Sequence, residues 1–270
     1  MSDLTATLGS SPRDAIAMLG RYLTRMRHAP GMLVITLVAP LAMLVLFGYL
    51  FGSAIGIPGG GNYREYLVPG LFVSVAANGI LTGMISTAQD QQRGVMDRFR
   101  TLPMSRFAVP FGQTASEVLV AAAGLLPLAL AGLAVGWRVR GTAGAALGAF
   151  ALLLLFRWAA AWIGQYLGML AKSEETAGQL ASLTFMLPMV SNTYVPTEGM
   201  PGWLRFLADW NPISSVVAAC RELFGNAAPV AAADAAWPLH HPVTAALLWS
   251  LLLLAVFIPL CVHRYTHTDR

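Results

Sequence analysis

Charge is scarce in this sequence. Of 270 residues only 11% are Asp, Glu, Lys or Arg, against roughly 25% in ordinary soluble domains. A soluble protein of this length would lack the charged side chains to cover its surface. Lysine is rarer still, since Lys172 is the only one. A phosphate-cradling loop needs two glycines, then Lys and Ser or Thr. Ser173 follows Lys172, but Tyr166 and Ala171 stand at the glycine positions, so any ATP chemistry belongs to another polypeptide. The two cysteines, Cys220 and Cys261, make no disulfide framework. The net charge is +4, but the basic residues are few and lie between apolar runs, which excludes a nucleic-acid binder. His240, His241 and Asp234 lack metal-ligand spacing, so they read as an interfacial loop with no metal. No histidine lies mid-span beside Ser or Cys, against an intramembrane protease. The glycine-rich stretch 58–61 has no strand before it and reads as a loop tip.

What is abundant is hydrocarbon: 56% of the residues are apolar and the mean hydropathy is +0.62. A membrane-crossing helix needs about 20 mostly apolar residues. Six segments qualify, at 31–51, 67–88, 107–135, 143–171, 177–195 and 243–262. Runs such as Ala151–Phe156 are apolar on every face, so the spans are helices rather than barrel strands. The expected class is an all-α integral membrane protein with one domain over 1–270. The first run follows a long polar segment and exceeds a signal-peptide core, so it reads as an uncleaved span.

Basic residues in short loops set the orientation. With the N-terminus inside, Arg13, Arg21, Arg25, Arg27, Arg93, Arg98, Arg100, Arg106, Lys172, Arg264 and Arg270 are cytoplasmic. The smaller group of Arg64, Arg138, Arg140, Arg205 and Arg221 falls outside, so both termini are expected in the cytoplasm.

Three other segments carry pattern. Residues 11–29 read as an amphipathic helix on the cytoplasmic surface. Ser11, Pro12 and Asp14 suit its start, Ile16, Leu19, Leu23 and Met26 form an apolar stripe, and Arg21, Arg25 and Arg27 supply charge for phosphates. The loop after the second span sets Arg93, Asp97, Arg98 and Arg100 around Val95, Phe99 and Leu102. Pro103 stops that short helix. Its pattern fits either docking into a groove on a soluble partner or a plain charged loop. The stretch 195–239 contains two short aromatic-rich pieces, broken at Pro201 and at Asn211–Pro212. Trp203, Phe206 and Trp210 suit the interfacial aromatic belt. The pieces fit either a re-entrant hairpin or an ordinary packed loop.

Two charges fall inside spans, Glu117 and Arg157. Such groups are costly in lipid and are usually paired or functional. Straight helices would separate them by about 10 Å in depth, which leaves open a direct pair or separate neutralisation. Asn78, Gln165 and Asn192 are the other mid-span polar groups, each either helix glue or pathway lining.

At this point the residues resemble a known family. RGVMDRFRTLPMSR (93–106) is similar to the cytoplasmic signature of type 2 ABC transporter permeases, Gly94 included. VPTEGMPGWLRFLADWNP (195–212), from Pro196 through Pro212, resembles that family's external segment. Arg221 matches the arginine of its succeeding helix. The closest flavour is the daunorubicin-resistance type of exporter permease. One departure is Gln91–Gln92–Arg93, where many members carry a glutamate pair before the glycine.

The resemblance implies a type 2 exporter fold, in which a homodimer binds two copies of a separate ATPase that holds ATP and Mg, with no cofactor on this chain. Residues 89–103 would be the coupling helix, 11–29 the interface helix and 195–224 the external re-entrant hairpin. The implied setting is the plasma membrane of a prokaryotic cell. The implied role is export of a drug, lipid or glycoconjugate. The alternative is a secondary transporter or a structural membrane subunit, neither of which needs an ATPase.

Overall fold

The computed structural model describes residues 20, 24, 30–51, 62–94, 107–171, 173–226 and 235–267. Among them all regular structure is helical. The helices are α1 (Pro30–Val45), α2 (Tyr63–Ala77), α3 (Gly79–Gln92), α4 (Ala108–Val135), α5 (Ala143–Leu170), α6 (Glu174–Leu183), α7 (Met186–Met189), α8 (Gly202–Asp209), α9 (Pro212–Phe224), α10 (Trp237–His240) and α11 (Pro242–His267). A π-helical turn, Leu46–Phe51, prolongs α1, so the expected first span is continuous helix. The expected interface helix 11–29, with Arg21, Arg25 and Arg27, lies outside the described residues apart from Gly20 and Thr24.

Among the described residues four helices are long and apolar enough to cross a bilayer: Tyr63–Gln92, Ala108–Val135, Ala143–Leu170 and Pro242–Thr266. The first of these comprises α2 and α3, and bends at Asn78. It is mostly buried, whereas α4 and α11 each leave one face exposed. Leu119, Leu126, Leu130 and Leu133 on α4, with Leu248, Leu251 and Leu252 on α11, form apolar outer faces, as a hydrocarbon solvent requires.

The expected fifth span, 177–195, is not one helix. α6 ends at Leu183, turns at Thr184–Phe185, resumes for the single turn α7, and continues as hydrogen-bonded turns through Tyr194. Pro188 explains the break. It has no N–H for the Thr184 carbonyl, and its ring crowds that position. Leu187 N–H bonds Thr184 O instead, in a tighter i→i+3 turn at 3.2 Å.

Polar caps start the helices at the predicted loop edges. Asn62, Thr142 and Asn211 accept hydrogen bonds from the amides of Arg64, Ala145 and Ile213. Gly225 ends α9 with φ +74° and lies against Arg140 and Gly141. Both Arg140 N–H and Gly141 N–H bond the Phe224 carbonyl. Above this joint Phe72, Trp137, Phe150 and Phe224 stack edge to face at centroid separations of 5.2–5.9 Å. This aromatic core closes the end of the bundle formed by 62–63, 136–142, 196–226 and 235–241.

The opposite half rests on small residues. A Cβ on Gly164 would fall on the Ile80 carbonyl oxygen, one on Gly83 would lie 2.8 Å from Ala161 O, and one on Gly168 2.6 Å from Met84 O. α3 and α5 therefore touch backbone to backbone through Gly79-xxx-Gly83 and Gly164-xxx-Gly168, a contact that lipid-embedded helices favour. Gly164→Leu should eliminate folded protein, while Gly148→Leu, whose new side chain meets open space, should not. Detergent size-exclusion profiles of the two variants check this. A monodisperse Gly164→Leu peak of normal height would refute the packing.

Candidate functional site

Three helices each place two polar side chains about one or two turns apart on a single face, inside otherwise apolar spans. α3 offers Thr82 and Ser86, α4 offers Gln113 and Glu117, and α5 offers Arg157 and Gln165. The six converge. Arg157 Nη2 lies 3.3 Å from Glu117 Oε2 and donates to Thr82 Oγ1 at 2.9 Å, while Nη1 donates to Val75 O at 3.3 Å. Thr82 has one hydroxyl proton, and its shortest bond, 2.8 Å, gives that proton to Glu117 Oε2. Ser86 donates to Glu117 Oε1 at 3.3 Å. Gln113 Nε2 donates to Ser86 Oγ and Thr87 Oγ1, and Gln165 Nε2 donates to Gln113 Oε1.

The direct pair is therefore the arrangement adopted by Glu117 and Arg157, both buried. Arginine's reach and the Thr82 bridge close the depth gap expected for straight helices. Arg157 Nε and Gln165 Oε1 are buried without a partner among the described residues. Sequence reasoning singled out Glu117, Arg157 and Gln165 but missed Thr82, Ser86, Thr87 and Gln113. The signal was the four-residue spacing of Thr82/Ser86 and of Gln113/Glu117.

Asn78 and Asn192 are not members of this network. Asn78 sits at the α2–α3 bend and lines a small cleft with Pro40, Met43, Leu71, Ser74 and Phe185. Asn192, expected in mid-span, lies instead in the irregular turn after Pro188, where side chains from α2 and α9 satisfy the main chain. Arg221 Nε donates to Tyr66 O at 2.9 Å, and Nη2 donates to Asn192 O at 2.9 Å and to Thr193 O at 3.1 Å. Its guanidinium also stacks 3.4 Å from the centre of the Tyr66 ring. Tyr66 Oη bonds Asn192 O, Tyr63 Oη bonds Tyr194 O, and Ser214 Oγ accepts from Asn192 N–H. Gly70 permits the approach, because a Cβ there would lie 2.6 Å from Thr193 O. Arg221 was expected among the external basic residues, on the helix that follows the Asn211–Pro212 turn. It is buried at 5% exposure and clasps the broken segment, while its neighbour Glu222 is exposed.

The segment 195–224 forms two short helices joined at Asn211–Pro212. Pro212 takes the first helical position of α9, and Asn211 caps it. Asn211 Nδ2 also donates to Val190 O at 2.6 Å, which ties the hairpin to the broken segment. α9 is buried, but α8 presents Trp203 (69% exposed), Phe206, Leu207 and Trp210 outward. On its other face Arg205 and Asp209 approach to 3.6 Å. Pro196 is half-buried at the entry to this region.

The charged loop begins at the C-terminal end of α3, where Arg93 is exposed and Gly94 turns with φ +62°. Asp97, Arg98, Phe99, Arg100, Leu102 and Pro103 lie outside the described residues. Among the described residues no cluster of His, Cys, Asp or Glu has the makings of a metal site. Cys220 and Cys261 are free and buried.

Comparison with known proteins supplies the remaining evidence. A family model described as ABC-2 type transporter matches residues 13–224. The chain is 33% identical over 269 residues to the daunorubicin resistance ABC transporter permease protein DrrB1 of Streptomyces coeruleorubidus, covering 97% of this chain and 91% of that one. It is 24% identical over 221 residues to the transport permease ycf38 of Cyanophora paradoxa, at 79% and 75% coverage. For the ycf38 protein of Porphyra purpurea the identity is 25% over 223 residues, at 78% and 73% coverage.

Proposed function

The chain belongs to the ABC-2 type transporter family, and from that premise we propose that it is the membrane subunit of an ATP-driven exporter. Its cargo is a hydrophobic or amphipathic compound, moved out through the plasma membrane of a prokaryotic cell. The observation that carries this reading is full-length similarity to a drug-resistance permease, together with the Arg93–Arg106 signature in the loop between the second and third spans. In this reading both termini are cytoplasmic, two copies of the chain form the pathway, and two copies of a separate ATPase bind ATP and Mg. The chain itself hydrolyses nothing. Residues 89–103 sit in a groove of the ATPase, residues 11–29 lie along the inner membrane surface, and α8 and α9 form the external hairpin. ATP binding draws the ATPase pair together, moves the coupling segments and rocks the spans about the dimer interface.

The test is co-expression with candidate ABC ATPases from the same genome. Asp97→Ala and Phe99→Ala should lower ATPase co-purification and daunorubicin efflux at least tenfold while membrane insertion stays normal. Full recruitment and full efflux in both variants would overturn the assignment of residues 89–103.

The exposed aromatic face of α8 supports a place at the outer leaflet near the exit. Trp203→Gln with Trp210→Gln should reduce efflux severalfold and leave basal ATPase activity intact. Unchanged efflux would reduce these tryptophans to anchors at the interface.

A further inference from the structure

α6 is held differently from the helices around it. It follows the short turn after α5, and Ser173 Oγ caps it by accepting from Thr176 N–H at 3.0 Å. Ala177 is its fully buried residue, set against the Ile80–Met84–Ala88 face of α3. Leu180, Ser182 and Leu183 are exposed. Among the described residues a short side-chain bond joins it to the bundle, from Gln89 Nε2 on α3 to Glu174 Oε1 at 2.6 Å. Gln89 stands one helical turn before Arg93, where the signature segment begins.

The far end of this segment is fixed. The turn 190–194 is gripped by Arg221, Tyr66, Tyr63 and Asn211. Between the gripped turn and α6 lie the Thr184–Phe185 break and the proline that causes it. Phe185 and Pro188 line the cleft that also contains Asn78 and Ser74. Leu180 and Leu183 are exposed on α6 beside the polar Glu175, Thr176, Gln179 and Ser182, whereas α7 is tied to the hairpin by the bond from Asn211 Nδ2 to Leu187 O at 3.1 Å, so it stays with the fixed turn.

We propose that Gln89–Glu174 is a latch. It holds α6 against α3 in the resting state, and displacement of the segment beginning at Arg93 opens it. α6 then pivots about Thr184–Phe185 beneath the fixed turn, widening the cleft beside Asn78. The part of this inference that names the ATPase as the driver rests on the function proposed above; the latch itself does not. Glu174 acts as a positioning residue, through the hydrogen bond its carboxylate accepts.

Spin labels at Gln92 and Ser182, both exposed, measure the latch by double electron–electron resonance. The background carries Cys220→Ala and Cys261→Ala, and the labelled chain is diluted with unlabelled chain. Without nucleotide the parent should give one narrow distance distribution. Glu174→Ala should broaden and shift it, and Glu174→Gln should restore it, because the glutamine carbonyl accepts the same bond from Gln89. A resting distribution in Glu174→Ala identical to the parent's would overturn the latch. Trapping the co-purified ATPase with ATP and vanadate should shift the parent toward the Glu174→Ala distribution. No shift despite a trapped, bound ATPase would overturn the coupling of latch to ATPase. Failure of the parent to bind any ATPase would instead strike the proposed function, with the nucleotide-free comparison still deciding the latch.

Discussion

Arg221→Leu should leave little folded protein in the membrane, and what remains should melt far below the parent in detergent. The segment that Arg221 grips contains Pro188, cannot be a continuous helix, and therefore exposes carbonyls that lipid cannot satisfy. Two of them, on Asn192 and Thr193, accept from one guanidinium nitrogen, while Nε bonds Tyr66 O on α2. Tyr66 Oη keeps the Asn192 carbonyl partly satisfied after the substitution, but the Thr193 carbonyl loses its donor. Each hydrogen bond from a charged donor contributes about 1.5–3 kcal/mol, and an orphaned buried carbonyl costs about 1–3 kcal/mol more. Stacking on Tyr66 adds about 2 kcal/mol where it is desolvated. The sum rivals the whole stability of a typical domain, about 5–15 kcal/mol. Arg221→Lys should recover only part of the loss, since one ammonium cannot match the planar fork. Glu222→Ala, one residue along and exposed, is the control. Normal accumulation and melting of Arg221→Leu, measured by fluorescence-detected size exclusion, would show that the turn is held by other means.

The long apolar spans and the helical hairpin at Asn211–Pro212 were legible because their signals are local. Twenty apolar residues in a row need a helix in lipid, and Asn211–Pro212 is both a cap and a stop. The break in the fifth segment was written in Pro188, yet the apolar run around it outweighed one proline in the reading. Asn192 was misplaced for the same reason: a continuous helix over 177–195 would have kept it within the span, near one end. The role of Arg221 was not legible. It depends on carbonyls 28 and 29 residues earlier in the chain, which are exposed only because the helix has failed there. The glycine seam between α3 and α5 left a pattern in Gly79/Gly83 and Gly164/Gly168, but such spacing names no partner. The network around Glu117 was half legible. A charge in a span announces itself, whereas Thr82, Ser86 and Gln113 pass as ordinary small polar residues until three helices bring them together.

The Glu117–Arg157 pair within that network can be probed by removing each charge alone and both together. Glu117→Leu alone leaves the Arg157 guanidinium buried with Thr82 and the Val75 carbonyl but no counter-charge. Arg157→Leu alone leaves a buried carboxylate held by two hydroxyls. Removing one member of a buried pair costs about 3–5 kcal/mol, whereas replacing both by apolar groups is often neutral or stabilising. The two single variants should therefore each lower the detergent melting temperature strongly, and Glu117→Leu with Arg157→Leu should regain most of the loss. The coupling energy in that cycle should be at least about 2 kcal/mol, beyond the few tenths seen for independent sites. Additive losses would mean that water or separate hydrogen bonds neutralise each charge. Efflux then separates structure from transport. If the double variant folds and matches the parent's rate of export for a compound that the parent exports, the pair only joins α4 to α5. Export should instead fall severalfold in this well-folded variant, because a polar seam across three helices allows them to exchange hydrogen-bond partners as they shift, and an apolar plug of fixed shape does not.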